Sequence, residues 1–384
     1  MKPMNEYPLL DDESGVPLFY PHVSSKAQAY VSKALASRWI GQGPRVDEFE
    51  EKLGENIDAT GRVVAVSSGT AALHLAYLLA EISADDEVIC PVFTCTATNI
   101  PLLYIGANII FSDISTESLN IDVDNIERLI TNKTKAISVV DYGGRPVDYQ
   151  VLREICDRNK IKLIADLAHC LDAKISGQSV LKYVDFAIFS FQAIKTVTSA
   201  DGGAIYIADN TMIQKAKRLR WFGIDRTKKQ KGTWENDITE IGYKYQMNDI
   251  QAAIGLANLE DLQDIRSIRK SIFSTYRKCF EACGIKLFEA TNEKIQFTPW
   301  LATIDTIGRR QIVMDNLRKH NIESAQVHYR NDRYSIFKRF IDKSFPNMDS
   351  IENNYLVLPL HTKMTAVDAE KISEIVIDTM ADAV

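Results

Sequence analysis

With 384 residues, 46% of them hydrophobic and 25% charged, the chain has the balance of a water-soluble folded protein. It is long enough for one large domain with a smaller partner. The net charge of −6 gives no general attraction to nucleic acid or to an anionic membrane. The opening stretch, Met1 to Gly15, is acidic and lacks the apolar segment of a secretory signal. The most apolar stretches, such as Ile100 to Phe111, are broken by residues like Gly106 and Asn108 and are too short to span a bilayer.

Residues 1 to 23 carry Pro3, Pro8, Pro17 and Pro21 and read as an irregular segment. A helix is expected from Ser24 to Ser37, capped by Ser24 or Ser25, with Ala27, Tyr30, Val31 and Leu35 on one face. The turn-rich Trp39-Ile-Gly-Gln-Gly-Pro44 leads into a helix from about Val46 to Leu53. Apolar strand-like runs follow at Val63–Ser67, Glu87–Val92, Ile109–Ile114, Ala136–Val140, Leu163–Asp166, Phe186–Phe191 and Ala204–Ile207. Helical patterns lie between several of them, at Ala71–Glu81, Cys95–Ile105, Asp122–Ile130 and Tyr149–Asn159. This alternation predicts an α/β fold with a mostly parallel seven-stranded sheet covered on both faces. The last strand follows its neighbour through a short turn, which suits antiparallel pairing.

Beyond Asp209 the chain is helical and charged to about Arg220, then enters a basic loop, Arg226-Thr-Lys-Lys-Gln-Lys231. Asn248 to Cys283 reads as one or two long helices, with Ile250, Ile254, Leu256, Leu259 and Leu262 at helical spacing. A strand at Phe297–Ile304 and helices at Arg309–His320 and Ala366–Met380 predict a second domain. Cys90, Cys156 and Cys170 sit in apolar contexts that suit reduced, buried thiols, which fits the cytoplasm. Cys279 and Cys283, one helical turn apart and without His nearby, read as helix packing rather than a zinc site.

Three strand ends carry chemistry. Ser67-Ser-Gly-Thr70 joins an apolar strand to a helix, and a small-residue turn at a helix N-terminus is an anion site, best for phosphate; taken alone it is equally a capped tight turn. Leu163-Ile-Ala-Asp166-Leu-Ala-His169 ends a strand in a carboxylate at the edge where α/β sheets bind ligands. Such an Asp needs a cationic partner, which a protonated pyridine nitrogen provides; the alternatives are a helix cap for Asp166 and a satisfied buried histidine for His169. Phe186 to Phe191 runs into a turn bearing Ser190 and Lys195, so Lys195 is held at a sheet edge, where desolvation favours the neutral, nucleophilic amine. Phosphate cradle, carboxylate and lysine, in that order, are what pyridoxal phosphate (PLP) chemistry needs.

At this point the chain resembles the DegT-type sugar aminotransferases, PLP enzymes of fold type I, from Trp39 to His361. The likeness is carried by Gly43-Pro-Arg-Val-Asp-Glu-Phe-Glu50, Ser67-Ser-Gly-Thr-Ala-Ala-Leu73 and Pro91-Val-Phe-Thr-Cys-Thr-Ala-Thr-Asn99. It continues through Tyr142-Gly-Gly-Arg-Pro-Val-Asp148, Ala165-Asp-Leu-Ala-His169, and Ser190-Phe-Gln-Ala-Ile-Lys195 with Asp201-Gly-Gly203. Gly242-Tyr-Lys-Tyr-Gln-Met-Asn-Asp-Ile-Gln-Ala-Ala-Ile-Gly255 and Leu358-Pro-Leu-His361 complete it.

The resemblance implies that Lys195 binds PLP covalently and then shuttles the proton, that Asp166 holds the pyridinium N–H, and that His169 bonds near the phenolic oxygen. Ser68, Gly69, Thr70 and Ser190 would bind the phosphate. Where the family has an aromatic that stacks on the PLP ring this chain has Cys95, so either Cys95 packs there or an aromatic such as Phe93 reaches in. Lys244 stands where the family often has an Asn that reaches the phosphate of the neighbouring subunit, Gln246 stands for an Arg, and Asp201 replaces a Glu. Family members that dehydrate sugars carry His at the lysine position, so Lys195 implies a full transamination cycle.

The implied enzyme is a homodimeric aminotransferase with its active site at the subunit interface. It would move an amino group, from L-glutamate, to a nucleotide-linked 4-keto-6-deoxy sugar for polysaccharide or deoxyamino-sugar synthesis, with amination at C3 or C4 open. The alternatives are a non-nucleotide keto-sugar, sugar phosphate or cyclitol acceptor, or a non-catalytic PLP-fold binding module. Trp39, His328 and Arg330 are substrate-side candidates; a structural ion pair is the other reading of Arg330. The basic run from Lys215 to Lys231 could meet a diphosphate, although at least half of it reads as a solvated face. The organisation implied is an N-terminal segment (1–23) packing on the small domain, a large PLP-binding domain (24–265) and a small C-terminal domain (266–384).

Overall fold

The computed structural model describes residues 15–233, 235, 237–290 and 294–381; the part of the expected N-terminal segment before residue 15 lies outside the described residues. The first half of the chain contains α1 (Ala27–Leu35), α2 (Pro44–Asn56), β1 (Val63–Val66), α3 (Gly69–Leu79), β2 (Glu87–Pro91), α4 (Thr96–Ile105), β3 (Asn108–Ser112), β4 (Thr134–Val140), α5 (Tyr149–Asn159) and β5 (Lys162–Asp166). Then come the two-residue strands β6 (Lys174–Ile175) and β7 (Gln178–Ser179), followed by β8 (Phe186–Ser190), β9 (Gly203–Ile207), α6 (Ile213–Leu219), α7 (Arg226–Gln230), α8 (Asp249–Glu260) and α9 (Leu262–Glu281). The last elements are β10 (Ile295–Gln296), β11 (Ala302–Asp305), α10 (Arg310–Lys319), α11 (Pro346–Ile351), β12 (Tyr355–Leu358) and α12 (Ala366–Ala381).

The seven apolar runs of the first two hundred or so residues form one sheet, in the order β1-β9-β8-β5-β4-β2-β3. Strands β3, β2, β4, β5 and β8 pair parallel, and β9 pairs antiparallel with both β8 and β1. Alternate residues feed opposite faces. Val64, Val66, Ile164, Ile188 and Ile205 join an apolar cluster under α3; Val63, Ala65, Leu163, Ala165, Ala187 and Ala204 join a second one against α2, α5 and α8. A sheet buried on both faces needs strands that are apolar throughout, which is why they read as continuous runs.

A third cluster lies between α9, α10, α12 and the antiparallel pair β11–β12, with Ile272, Tyr276, Val313, Leu356 and Val376 in it. The expected division after residue 265 falls inside α9, which is continuous through it. Leu262 belongs to the second cluster and Ile272 to the third. The N-terminal segment meets the C-terminal residues directly. Val16 N–H donates to Asn321 O at 3.0 Å, Glu323 N–H donates to Val16 O at 2.9 Å, and the His361 ring bonds Pro17 O through Nε2 at 2.9 Å.

Four local expectations are corrected. Asp122–Ile130 is a 3-10 helix (Val123–Leu129), because the Asp122 carboxylate takes the Asp124 N–H and tightens the first turn. The basic loop after Asp225 contains α7, whose Thr227 and Lys228 N–H groups are capped by the Asp225 carboxylate. Residues 297–301 do not extend β11, since Trp300 N–H is taken by Gly143 O at 2.9 Å. Cys283 is exposed beyond the end of α9 rather than packed in it, while Cys90, Cys156 and Cys170 are buried and free.

Candidate active site

The loops after β1, β5 and β8 open at the same carboxyl edge of the sheet. After β1, Ser68 caps α3 by accepting the Ala71 N–H at 3.1 Å. The first N–H groups of a helix have no acceptor within it and carry its positive end, so this turn is built for an anion. Glycines bring the neighbouring loop against it. A side-chain carbon on Gly69 would lie 3.0 Å from Ser190 Cβ, and one on Gly203 would lie 2.4 Å from the Ser68 carbonyl. Gly203 pairs with Ser190 in register, so Ser68, Gly69 and Ser190 are forced to one spot. Gly203→Ala is expected to cost about 1–3 kcal/mol through this overpacking and to weaken PLP binding as the turn shifts. Thermal unfolding and PLP titration measure the two effects.

Asp166 ends β5 and is 3% exposed. Thr98 Oγ1 donates to its Oδ2 at 2.8 Å and Ala168 N–H to its Oδ1 at 3.0 Å; Thr98 Oγ1 is 2.9 Å from Thr94 Oγ1. Burial raises the Asp166 carboxyl above its ordinary value, against the opposing pull of those two bonds and of the Lys195 charge. Lys195 sits in the turn after β8 and is half-buried. Burial of its amine brings it down from 10.5 to about 8, while Asp166 and then Cys95 act in the other direction. Cys95 is the residue before α4 and is half-buried.

His169 follows Asp166 and lies in a stack of rings. Its ring is 4.0 Å from Trp300 at 27° and 5.2 Å from His328 at 4°. Gly143 N–H donates to His169 Nδ1 at 3.3 Å, which leaves the His169 proton on Nε2, 3.3 Å from His328 Nε2. Burial pushes both imidazoles down, His328 to about 3, so the pair is neutral at physiological pH. The turn Tyr142-Gly-Gly144 seats this stack. Gly144 has φ +94°, and a side chain there would strike the carbonyls of Thr298 and His169 at 2.6 and 3.1 Å. His328 is placed by Asn331, whose N–H donates to Val92 O at 2.7 Å and whose Nδ2 donates to Thr94 O at 2.7 Å.

Other expected residues lie apart from this cluster. Arg330 is 2% exposed and its guanidinium is engaged by Asp332 (2.7 Å, two bonds), Asp349 (2.5 Å) and Glu352 (2.8 Å). Its charge is matched within the chain by these carboxylates, the arrangement of a structural ion pair. Phe93 is buried against Tyr142 and Tyr355 at 4.8 and 4.9 Å and does not supply the ring facing Lys195. Trp39 packs beside Arg38, with 4.9 Å between the guanidinium and the ring, in a cleft lined by α1 and α2. Lys244 is exposed, 5.3 Å from the Phe222 ring, on a segment whose Tyr245 O accepts the Ser67 N–H at 2.7 Å. Much of the basic run is paired internally: Arg220 and Lys217 with Glu50, and Arg218 with Glu240.

Two residues of the cluster escaped the sequence reading. Thr98 lies in the first turn of α4, and its bond to Thr94 in the preceding loop has no local sequence signal. Trp300 had no local signal, because a lone tryptophan beside a short apolar run reads as core. The residues present fit PLP: an anion turn, a buried carboxylate short of a cation, and a lysine amine lowered toward neutrality.

A model of the DegT/DnrJ/EryC1/StrS aminotransferase family matches residues 21–377. The GDP-perosamine synthase of Vibrio cholerae is 30% identical over 350 residues, covering 90% of this chain and 93% of that one. The UDP-4-amino-4,6-dideoxy-N-acetyl-beta-L-altrosamine transaminase of Campylobacter jejuni is 32% identical over 353 residues, covering 90% and 92%. Among solved structures, the PLP form of Spr1654 from Streptococcus pneumoniae has a TM-score of 0.89 and 28% identity over 96% of this chain and 100% of that one.

Proposed function

This chain belongs to the DegT/DnrJ/EryC1/StrS aminotransferase family, and we propose that it transfers an amino group from L-glutamate to a nucleotide-linked 4-keto-6-deoxy sugar. Its class is that of a PLP-dependent sugar aminotransferase of fold type I. The observation that carries the site assignment is the meeting of three strand-end loops, with Lys195 in the turn after β8, Asp166 at the end of the paired β5, and Ser68 and Ser190 brought together by Gly69 and Gly203. The GDP-perosamine named for the Vibrio relative and the UDP-4-amino-4,6-dideoxy sugar named for the Campylobacter relative support the acceptor.

Bound PLP supplies an electron sink for the pair released when the donor loses its α-proton. Ser68, Gly69, Thr70 and Ser190 would hold the phosphate through backbone N–H and hydroxyl groups. Asp166, fixed by Thr98 and Ala168, would hold the proton on the ring nitrogen. Lys195 would be the point of covalent attachment and the base that takes the donor's α-proton at Nζ and returns it, the work of a base whose pKa lies near the operating pH. His169 would hydrogen-bond near the phenolic oxygen. His328, stacked on it, borders the acceptor.

The working unit in this reading is a homodimer, with Lys244 reaching the partner's PLP phosphate as a point charge. Its support is a patch where Tyr104, Phe222 and Ile241 are 60%, 44% and 81% exposed and Tyr243 stacks on Tyr245 at 5.1 Å. The double variant Phe222→Asp, Ile241→Asp is expected to sediment as a monomer and to lose turnover. The setting proposed is the cytoplasm, in keeping with the free buried thiols. Among the described residues no helix is long and apolar enough to cross a membrane.

At pH 7 an amine titrating at about 8 is roughly one-tenth neutral, about 300-fold more than one at 10.5. The rate at which the PLP-free chain takes up PLP is therefore expected to rise about tenfold per pH unit and to level off near pH 8. Stopped-flow absorbance would record it.

The function is tested by visible spectra of the purified protein before and after L-glutamate. Turnover is then compared between GDP- or UDP-linked 4-keto-6-deoxy sugars and free keto-sugars, sugar phosphates and cyclitol ketones. A bleached visible band and turnover confined to the nucleotide sugars support the proposal. Preference for an unlinked ketone overturns the acceptor, and a protein that never takes up PLP overturns the site.

A further inference from the structure

The geometry points to Trp300 as the positioning residue of Lys195, holding the lysine turn in place and stabilising the protonated amine through the indole face. Lys195 Nζ lies 3.9 Å from the centroid of the Trp300 ring, close contact for a cation over the most electron-rich aromatic side chain. The indole is 1% exposed and fixed on several sides. Its Nε1–H donates to Ile194 O at 2.9 Å, so the side chain under the amine also grips the backbone of the residue before the lysine. Its backbone N–H donates to Gly143 O at 2.9 Å. Phe19 stacks on it at 5.6 Å and 18°, and His169 at 4.0 Å and 27°.

A tryptophan serving only as core needs none of these polar ties to the lysine turn. Asp166, Cys95, His169 and His328 are the titratable groups that act on the amine from the other elements. The two imidazoles are neutral, and Asp166 is occupied on both oxygens. The indole face therefore supplies a favourable contact each time Nζ carries a proton. Burial alone would carry the amine lower still, and Trp300 opposes it alongside Asp166. The proposal rests on Lys195 as the reacting lysine, since only there does the charge state of this amine govern turnover.

The test is residue-resolved labelling of Lys195 with an acid anhydride across a pH series in the full-length PLP-free chain, read by peptide mass spectrometry. Trp300→Leu keeps an apolar cover but removes the π face, and the Lys195 midpoint is expected to fall by about half to one and a half pH units. Replacing the tryptophans by fluorinated tryptophans keeps the indole shape while withdrawing ring electrons, and the midpoint is expected to fall in step with fluorine content. If Trp300→Leu does not fold, the fluorinated series decides alone. A midpoint that stays fixed or rises overturns the proposal, a rise meaning that Trp300 only excludes water. In the loaded enzyme the visible band of Trp300→Leu is expected to titrate at a shifted pH, and kcat to fall about three- to thirtyfold with KM for the donor little changed. Failure of the functional reading shows itself differently, as a wild-type chain that takes up no PLP, whatever the Lys195 midpoint does.

Discussion

Lys195→Ala is expected to lower turnover by about four orders of magnitude or more. Proton transfer by a positioned side chain contributes roughly 10²- to 10⁴-fold, and the same amine carries the covalent attachment. The loss should be chemical rather than structural. Lys195 lies half-buried in a turn, with its N–H bonded to Gln192 O at 2.9 Å, a bond that alanine keeps. PLP should still bind through the anion turn and Asp166 but wash out on dialysis. A small primary amine added in solution should restore part of the rate in Lys195→Ala, since the cavity left by the side chain admits one. Lys195→Arg should not recover activity, because a guanidinium stays charged and cannot take up the α-proton. Steady-state kinetics with amine rescue checks the rate loss, the rescue and the arginine variant, and absorbance after dialysis checks the PLP loss; a Lys195→Ala variant within tenfold of wild type would remove Lys195 from the mechanism.

Asp166→Asn is expected to lower kcat by about 10²- to 10⁴-fold. Removing one partner of a buried ion pair costs about 3–5 kcal/mol, because the other charge is left uncompensated, and a barrier raised by that amount is a rate loss of this size. Asparagine keeps the shape: its carbonyl can accept from the Ala168 N–H while its amide donates to Thr98 Oγ1, whose hydroxyl then donates to Thr94, so the fold should hold. What it cannot do is balance a protonated ring nitrogen. A second consequence follows from the electrostatics at Lys195. Asp166 raises the amine's pKa against burial, so in Asp166→Asn the midpoint should drop below about 8, and the pH dependence of PLP uptake should shift to lower pH. Kinetics and the uptake profile check the two effects separately.

The sheet was legible because its strands are buried on both faces and must be apolar throughout, so Val63–Val66, Phe186–Ser190 and the rest stand out without any alternation to decode. The polar groups at their ends stand out for the same reason: Asp166 closes one apolar run, and Ser190 closes the next, five residues before Lys195. What joins those ends across the cleft was not legible. Trp300 is brought to Lys195 by the backbone of Gly143, more than a hundred residues earlier, and by an indole bond to Ile194. Neither is a feature of local spacing. The partners of Arg330 were not legible either, because two of them, Asp349 and Glu352, come from α11 and the residue after it, and only the folded chain brings those carboxylates round it. The glycines of Tyr142-Gly-Gly144 announce a turn in the sequence, but what that turn supports, His169 and Trp300, emerges only in three dimensions.

The N-terminal stretch looks dispensable on paper, proline-rich and ahead of the first helix, and residue 23 would be the natural place to begin a trimmed version for crystallisation or for a fused tag. The contacts of Val16 with Asn321 and Glu323, of Pro17 with His361, and of Phe19 with Trp300 argue against that cut. Trimming there would release the C-terminal layer on one side and, on the other, strip away the ring that backs the indole under the lysine. A shortened protein keeping residues from 15 onward retains both, so the boundary for engineering lies before Val16, well upstream of α1.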